Sequence, residues 1–510
     1  MTGRTAPVTI LGTVPRLSLP ELWACLAVIL PVLGALLASI STVDLAYNVR
    51  AGGIVLDTRA LPSPDAFTFT AGGSPWVDQQ WAAQAILAAV HRLGGWSLLA
   101  VVRALLVGLT FWLVLGACRS AGAGLRVAAW LTLGGFAVGL VTLGLRPQLL
   151  GMVLFAGTLA ILARRDRRPG LVWALPLIVA VWANVHGSFV LGPAAVLIAW
   201  LSDLPARRSG VGRLLLVGLL SAAATLVNPY GVGVWAYAAG VAADPTIRRL
   251  ITEWQPTALL SFSGAVFYGS VAGTAALLTL IVRRAGGGAA GRIVRRTWPT
   301  LAWLAGLATL GAFAERGVAW WSIAAPIALA GLLGLAVGGP VDEASATPPP
   351  PSRAPAGSLV TTAIVAVLLV AVVALLPTWR RGDPLYGPDG LLTDAPRGIT
   401  DAVLAQAGPT SRIWNAQRWG SWLEFAVPVA PVAVDSRIEL IPADAWADHL
   451  ALSGGAADCS AILDRRGVTI VAADAEEQRG LIPLLRASAG WRLVHEDRDG
   501  AVFVRAVASP

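Results

Sequence analysis

The chain has 510 residues, of which 56% are hydrophobic and only 13% charged. A soluble globular protein carries about 25% charged residues, so the composition excludes an ordinary soluble enzyme, a disordered chain and a disulfide-framed secreted protein. It indicates a polytopic membrane protein. The net charge of +9 rests on arginine alone, because the chain has no lysine. These arginines punctuate apolar runs and do not gather on one basic face, which argues against a nucleic-acid partner.

An α-helix needs about 20 mostly apolar residues to cross a bilayer. The first span is expected at 21–42, behind a short tail with Arg4 and Arg16, as an uncleaved helix and not a signal peptide. A long loop, 43–96, follows, rich in Asp and aromatic residues. Asp44 stands at the end of the first span, at membrane depth, where a carboxylate is costly unless it meets water, a cation or a substrate. It is the candidate general base; the alternative is an interface residue paired with Arg50. Asp65 follows a Pro-Ser-Pro turn and is either a second site acid or a turn cap. Asp57 and Asp78 are expected to be solvated. Trp76 and Trp81 are expected to anchor an amphipathic helix near 77–92 at the membrane interface.

Further spans are expected near 97–117, 127–145, 149–163, 170–185, 188–203, 214–227, 261–282, 297–314, 318–337 and 359–377, about 11 in all. With a cytoplasmic N-terminus, alternate loops are basic: Arg119 and Arg126, the cluster around Arg164 and Arg168, Arg208 and Arg213, and the cluster that starts at Arg283. The intervening loops hold the remaining polar residues. Arg146 opens the turn GLRPQLL and breaks the positive-inside pattern, so it is expected to meet a lipid phosphate or an acidic loop residue. In VWANVHGSFVLG, Asn184 and His186 interrupt an apolar hairpin, and polar groups at that depth need partners or water. Asn228 to Gly231 (NPYG) reads as a turn, and Glu253 as a second carboxylate reaching the same cavity. Arg316 is a second candidate phosphate ligand, with its neighbour Glu315 as the local neutralising alternative.

Residues 1–338 thus form the membrane core, 339–358 a proline-rich cytoplasmic linker, 359–379 the last span, and 380–510 a soluble domain. In that tail 13 arginines face 17 acidic residues, a different balance from the rest. SRIWNA, PVAVDSR and VTIVAAD read as short strands and Ala443 to Leu452 as a helix. WRLVHEDRDGAVFVR reads as a hairpin turning at Asp499-Gly500. The tail is therefore expected to be a small extracytoplasmic α/β domain. Cys25, Cys118 and Cys459 are too few and scattered for a disulfide framework or a zinc site. No spacing specifies a metal; a divalent cation stays open as a cofactor.

Several motifs occur in a telling order. They are Asp44, Asn48, Arg50 and Gly52; Pro62, Asp65, Phe67 and Thr70; Arg146-Pro147-Gln148; Trp182 to Gly187; Asn228 to Gly231; and, in the tail, WNAQRWGSWLEF and VDSRIELIP with Asp435, Arg437 and Glu439. In this order the chain resembles the GT-C class of membrane glycosyltransferases, close to uncharacterised bacterial members, over nearly its whole length. Many members carry adjacent Asp-Glu in the first outer loop; here the pair is Asp44-Leu45. The resemblance implies a plasma-membrane enzyme with its site on the outer face. It would move a sugar from a polyprenyl-phosphate carrier to a glycan, lipid or protein acceptor with inversion. Asp44, with Asp65, would do the catalysis, and Arg50, Arg146, Asn184, His186, Glu253 and Arg316 would bind substrate and lipid phosphate. The alternatives are a lipid or glycolipid flippase, which predicts polar residues in both leaflets, and a non-catalytic envelope-assembly scaffold.

Overall fold

The computed structural model describes residues 16–205, 208, 210–285, 287–337, 357–379, 382–383, 387–388 and 390–506. The tail before Arg16 and nearly all of the proline-rich linker lie outside the described residues. The molecule is mostly helical. Helices α1 (Leu19–Leu37), α3 (Trp81–Ser120) and α4 (Leu125–Gly139), with the helices Phe262–Ala285 and Val318–Val337, belong to the five stretches long and apolar enough to cross a membrane. Of six shorter apolar stretches, of 10–17 residues, five fall close to other predicted spans; the sixth, Gly233–Ala243, was not among them. Several predicted spans are thus too short to count by length alone, and the figure of about 11 is not fixed by these elements.

The predicted loop 43–96 is largely helical. Helix α2 (Thr42–Thr58) begins five residues after α1 ends. Ser41 caps it by accepting from Val43 N–H, and Thr42 donates to the carbonyls of Thr393 and Asp394. Asp44 therefore lies in the first turn of a second helix and not at the end of the first span. A side-chain oxygen at the cap satisfies one of the free N–H groups of that first turn. The amphipathic helix expected near 77–92 and the span expected at 97–117 are two limbs of α3, kinked at Gly94 and Gly95. Gly95 has φ +59°, ψ −157°, a conformation that a residue with a Cβ would reach only under strain. At Gly52 the reason for glycine is proximity. A Cβ there would lie 1.9 Å from the Gln84 carbonyl oxygen, so α2 and α3 touch backbone to backbone.

The tail holds a four-stranded sheet in the order β1 (Ile413–Asn415), β2 (Ile470–Asp474), β4 (Gly500–Arg505), β3 (Trp491–Glu496). β1 and β2 are parallel, with Ile413 opposite Ile470; the other two pairings are antiparallel. Helices Arg397–Gln406, Gly420–Ala426, Ala443–Ser453, Cys459–Arg465 and Leu481–Ala487 surround it. The hairpin turns through 497–499, and Gly500 already opens β4. PVAVDSR is not a full strand; Val432 makes single bridges to Ile413 and to Thr68. The second bridge carries the architecture. Phe69 N–H donates to the Val432 carbonyl at 2.9 Å and Val432 N–H to the Phe67 carbonyl at 3.1 Å. The segment between α2 and α3 is thereby stitched to the tail, and the parallel pair Ile40–Ser41 with Leu392–Thr393 ties the connection between α1 and α2 to the tail as well.

Candidate active site

At the end of the helix bundle that meets the tail lies a cavity of about 640 Å³. Asp44 and Tyr47 enter it from α2. Arg146 enters from the residue before α5 (Pro147–Leu162), whose N-terminal Pro147 fixes the turn. His186 comes from the turn after α6 (Leu175–Ala183), and Glu253 from a single 3₁₀ turn, Thr252–Trp254. Arg316 comes from the 3₁₀ turn just before the helix Val318–Val337, and Glu439 from the tail.

Four of these side chains form one chain of charge. Asp44 Oδ2 lies 3.2 Å from Arg146 Nη1. Arg146 Nη1 in turn donates to both carboxylate oxygens of Glu253. Arg316 Nε lies 3.5 Å from Glu253 Oε2 on the far side, and the Trp254 ring covers its guanidinium at 5.6 Å. Each of the four side chains is between a fifth and a third exposed, so each reaches the cavity. Burial by itself would lower the Arg146 pKa. Asp44 and Glu253 outweigh it and hold the guanidinium charged, above its ordinary range.

The sequence candidates divide clearly. Asp44, Arg146, His186, Glu253 and Arg316 converge on the cavity. Asp44 pairs with Arg146 and not with Arg50. Glu315, expected to neutralise Arg316, instead accepts from the Ser263 hydroxyl. Asp65, Arg50 and Asn184 do not line the cavity. Asp65 is 3% exposed, caps its own turn by accepting from Thr68 N–H and the Thr68 hydroxyl, and takes Arg437 Nη1 at 2.7 Å. Arg437 and Thr68 hold its carboxyl low against the effect of burial. Arg50 donates to the Glu424 carbonyl at 2.8 Å and packs on the Phe67 ring. Asn184 ends α6, accepts from Trp81 Nε1 and donates to the Ala180 and Val227 carbonyls. His186 caps its turn by accepting from Ser188 N–H, so its ring orientation is fixed locally.

Two expectations about the surface fail, because the tail covers Trp76 through Arg437 and the helix bundle takes up Trp81 and Asp78 through Asn184 and Tyr230. Trp76 is 5% exposed against Phe67 and Arg437, not at an interface, and Trp81 is spent on Asn184. Asp78 is 2% exposed where a solvated residue was expected. Burial pushes its carboxyl up to about 7. Asp57, by contrast, is exposed, as expected, and pairs with Arg92.

Sequence reasoning overlooked the cavity's tail-facing end. Glu439, quoted only as part of a motif, accepts the Tyr237 hydroxyl at 3.1 Å, and burial raises its carboxyl. Tyr47, Gln417 and Ser436 line the cavity near it. The signal that could have found Glu439 is its place two residues after Arg437. That residue is 2% exposed and bound to Asp435, Asp65 and, at 3.6 Å, Glu424. Among the described residues no three His, Cys, Asp or Glu side chains converge as a metal cage; Asp44 and Glu253 each face Arg146.

Comparison with solved structures supplies the fold's relatives. Over 96% of this chain and 74% of the other, it superposes on the Archaeoglobus fulgidus oligosaccharyltransferase tethered to an acceptor peptide, with TM-score 0.53 and 12% identity. The mycobacterial arabinofuranosyltransferase AftD gives TM-score 0.54 and 18% identity, over 97% of this chain and 40% of AftD. ArnT from Cupriavidus metallidurans, bound to undecaprenyl phosphate, gives 0.50 and 14%, over 96% and 98%. The fold is that of the GT-C glycosyltransferases. At these identities the GT-C likeness is one of architecture. No family model and no curated protein sequence matches the chain.

Proposed function

We propose that this GT-C protein transfers a sugar from a polyprenyl-phosphate carrier to an acceptor on the outer face of the plasma membrane, with inversion at the anomeric carbon. The observation that carries the reading is the pairing of Asp44 with Arg146, beside Arg316, in a cavity between apolar helices and a soluble tail. The N-terminus and the linker then face the cytoplasm, and the tail faces outward.

In this mechanism the carrier phosphate takes Arg146 and Arg316, whose guanidinium groups suit phosphate oxygens in geometry and charge. Once the phosphate engages Arg146, the Asp44 carboxylate is released from its ion pair. It accepts the proton of an acceptor hydroxyl as that oxygen attacks the anomeric carbon. The bond from that carbon to the phosphate oxygen breaks, and the electron pair leaves with the carrier as a phosphate monoester. The leaving group is already a stable anion, so no general acid is required; fixed cations stabilise the charge that develops. Glu439, Tyr237, Gln417 and Ser436 present a carboxylate, a phenol, an amide and a hydroxyl to the acceptor, an array suited to sugar hydroxyls. Glycan acceptors therefore fit this end best.

The test is transfer of labelled sugar from a panel of polyprenyl-phosphate sugars by the purified protein. Activity that is lost in Asp44→Asn and in Arg146→Gln supports the reading. Transfer that continues unchanged in Asp44→Asn removes the proposed base.

A further inference from the structure

Glu253 occupies the place between the two arginines where a phosphate would sit. Its Oε2 lies 2.5 Å from Arg146 Nη1 and 3.5 Å from Arg316 Nε, and Oε1 is also held by Arg146. With Asp44 on the other side of Arg146, two cations face two carboxylates and the group is neutral as it stands. The same residues mark a neck. A second cavity of about 180 Å³ lies beyond them, and Arg146, Gln148, Glu253 and Arg316 line both spaces.

The segment that carries Glu253 runs from Asp244, through the six-residue helix Pro245–Leu250, to Gln255, and links the longer helices Gly233–Ala243 and Phe262–Ala285. Ile247 anchors its middle in the core, and at its far end Glu315 N–H donates to the Gln255 carbonyl at 3.2 Å, which holds the segment beside Arg316.

A carboxylate clasped by guanidinium groups presents two acceptor oxygens and a negative charge, as one face of a phosphate does. We propose that Glu253 is a built-in competitor for the carrier phosphate. It holds Arg146 and Arg316 when no carrier is bound, yields them to the incoming donor, and takes them back to expel the spent carrier. The inference rests on the reading of this cavity as a polyprenyl-phosphate site.

Charge gives the competition a direction. The donor's phosphodiester carries one negative charge, whereas a phosphate monoester carries about −1.5 to −2 near neutral pH. A neighbouring carboxylate opposes the second charge more than the first. Glu253 therefore disfavours the spent carrier more strongly than the donor, and so is a specificity-determining residue as well as a placeholder.

The experiment measures binding of undecaprenyl phosphate to the purified full-length protein in detergent. Glu253→Gln removes the charge and keeps the shape. Glu315→Gln is the control, since Glu315 lines the smaller cavity but is bound by Ser263. Glu253→Gln is expected to bind about tenfold tighter or more, with Glu315→Gln unchanged. Thermal transitions of both variants establish that they are folded. Equal or weaker binding by a folded Glu253→Gln overturns the competitor role, as does equal tightening by Glu315→Gln, which would reduce the effect to net charge. If neither the wild type nor Glu253→Gln binds the carrier, the polyprenyl-phosphate reading fails first, and the inference with it.

Discussion

Replacing Arg437 with Met tests whether the tail is latched to the helix bundle through one buried cation. Arg437 is 2% exposed and donates to Asp65, across the interface with the segment after α2, and to Asp435 on its own loop. Its guanidinium also lies 4.5 Å from the Trp76 ring and 4.8 Å from the Phe67 ring. Removing one partner of a buried ion pair costs about 3–5 kcal/mol because the other is left uncompensated. The lower end of that range applies here. Of the three surrounding carboxylates, Glu424 is already pushed well above the usual carboxyl range by burial and by Asp435, and so adds little stranded charge. A loss of about 3 kcal/mol raises the open population of the tail about a hundredfold. Cys459 is free and buried in the tail. In a Cys25→Ser, Cys118→Ser background its labelling rate reports that opening. Arg437→Met is expected to label about a hundredfold faster, with Asp65→Asn recovering part of the difference. Equal labelling rates in folded Arg437→Met and the parent would refute the latch.

Other outcomes follow from the same contacts. Gly52→Ala places a methyl into the Gln84 carbonyl and is expected to cost about 2–3 kcal/mol in thermal unfolding. Gly53→Ala meets only the flexible end of Arg92 at 3.5 Å and is expected to be tolerated; equal effects of the two would contradict the close α2–α3 approach. Glu424 has a raised carboxyl, so the folded state keeps a proton that the unfolded state releases above about 4.5, and this residue's contribution to stability falls as pH rises from there. Glu424→Gln is expected to flatten that fall; a melting profile with the same slope in the variant would count against it. Glu439→Gln is expected to raise KM for a glycan acceptor and leave undecaprenyl phosphate binding unchanged. A parallel loss of carrier binding would place Glu439 at the other end of the cavity.

Much of the cavity's charged lining was legible because charge is scarce in this chain. Asp44, Arg146, His186, Glu253 and Arg316 stood out as polar residues outside the basic loops, and they meet in one cavity. The partnerships were not legible, since they depend on which turns face each other across the bundle. Arg146 reaches Asp44 and Glu253 from 102 and 107 positions away in sequence. Asp65 and Arg50 were misplaced because the tail folds back over the first loop and takes both for its own docking, through Arg437 and through the carbonyl of Glu424. Nothing local announces that return: the bridge from Thr68 to Val432 spans most of the chain. Arg103 escaped notice for a similar reason. It lies in the apolar α3 and caps the end of α1 by donating to the carbonyls of Ala35, Ala38 and Ser39, a role no spacing reveals.

The central claim is that Asp44 serves as base for sugar transfer from a lipid phosphate held by Arg146. The most direct measurement is single-turnover transfer from a labelled polyprenyl-phosphate sugar, with carrier binding measured on the same wild-type and Asp44→Asn samples. Asp44→Asn is expected to bind the carrier at least as well as wild type, since a carboxylate beside the phosphate is gone, and to transfer at least a hundredfold more slowly. Transfer at the wild-type rate by carrier-bound Asp44→Asn would contradict the assignment.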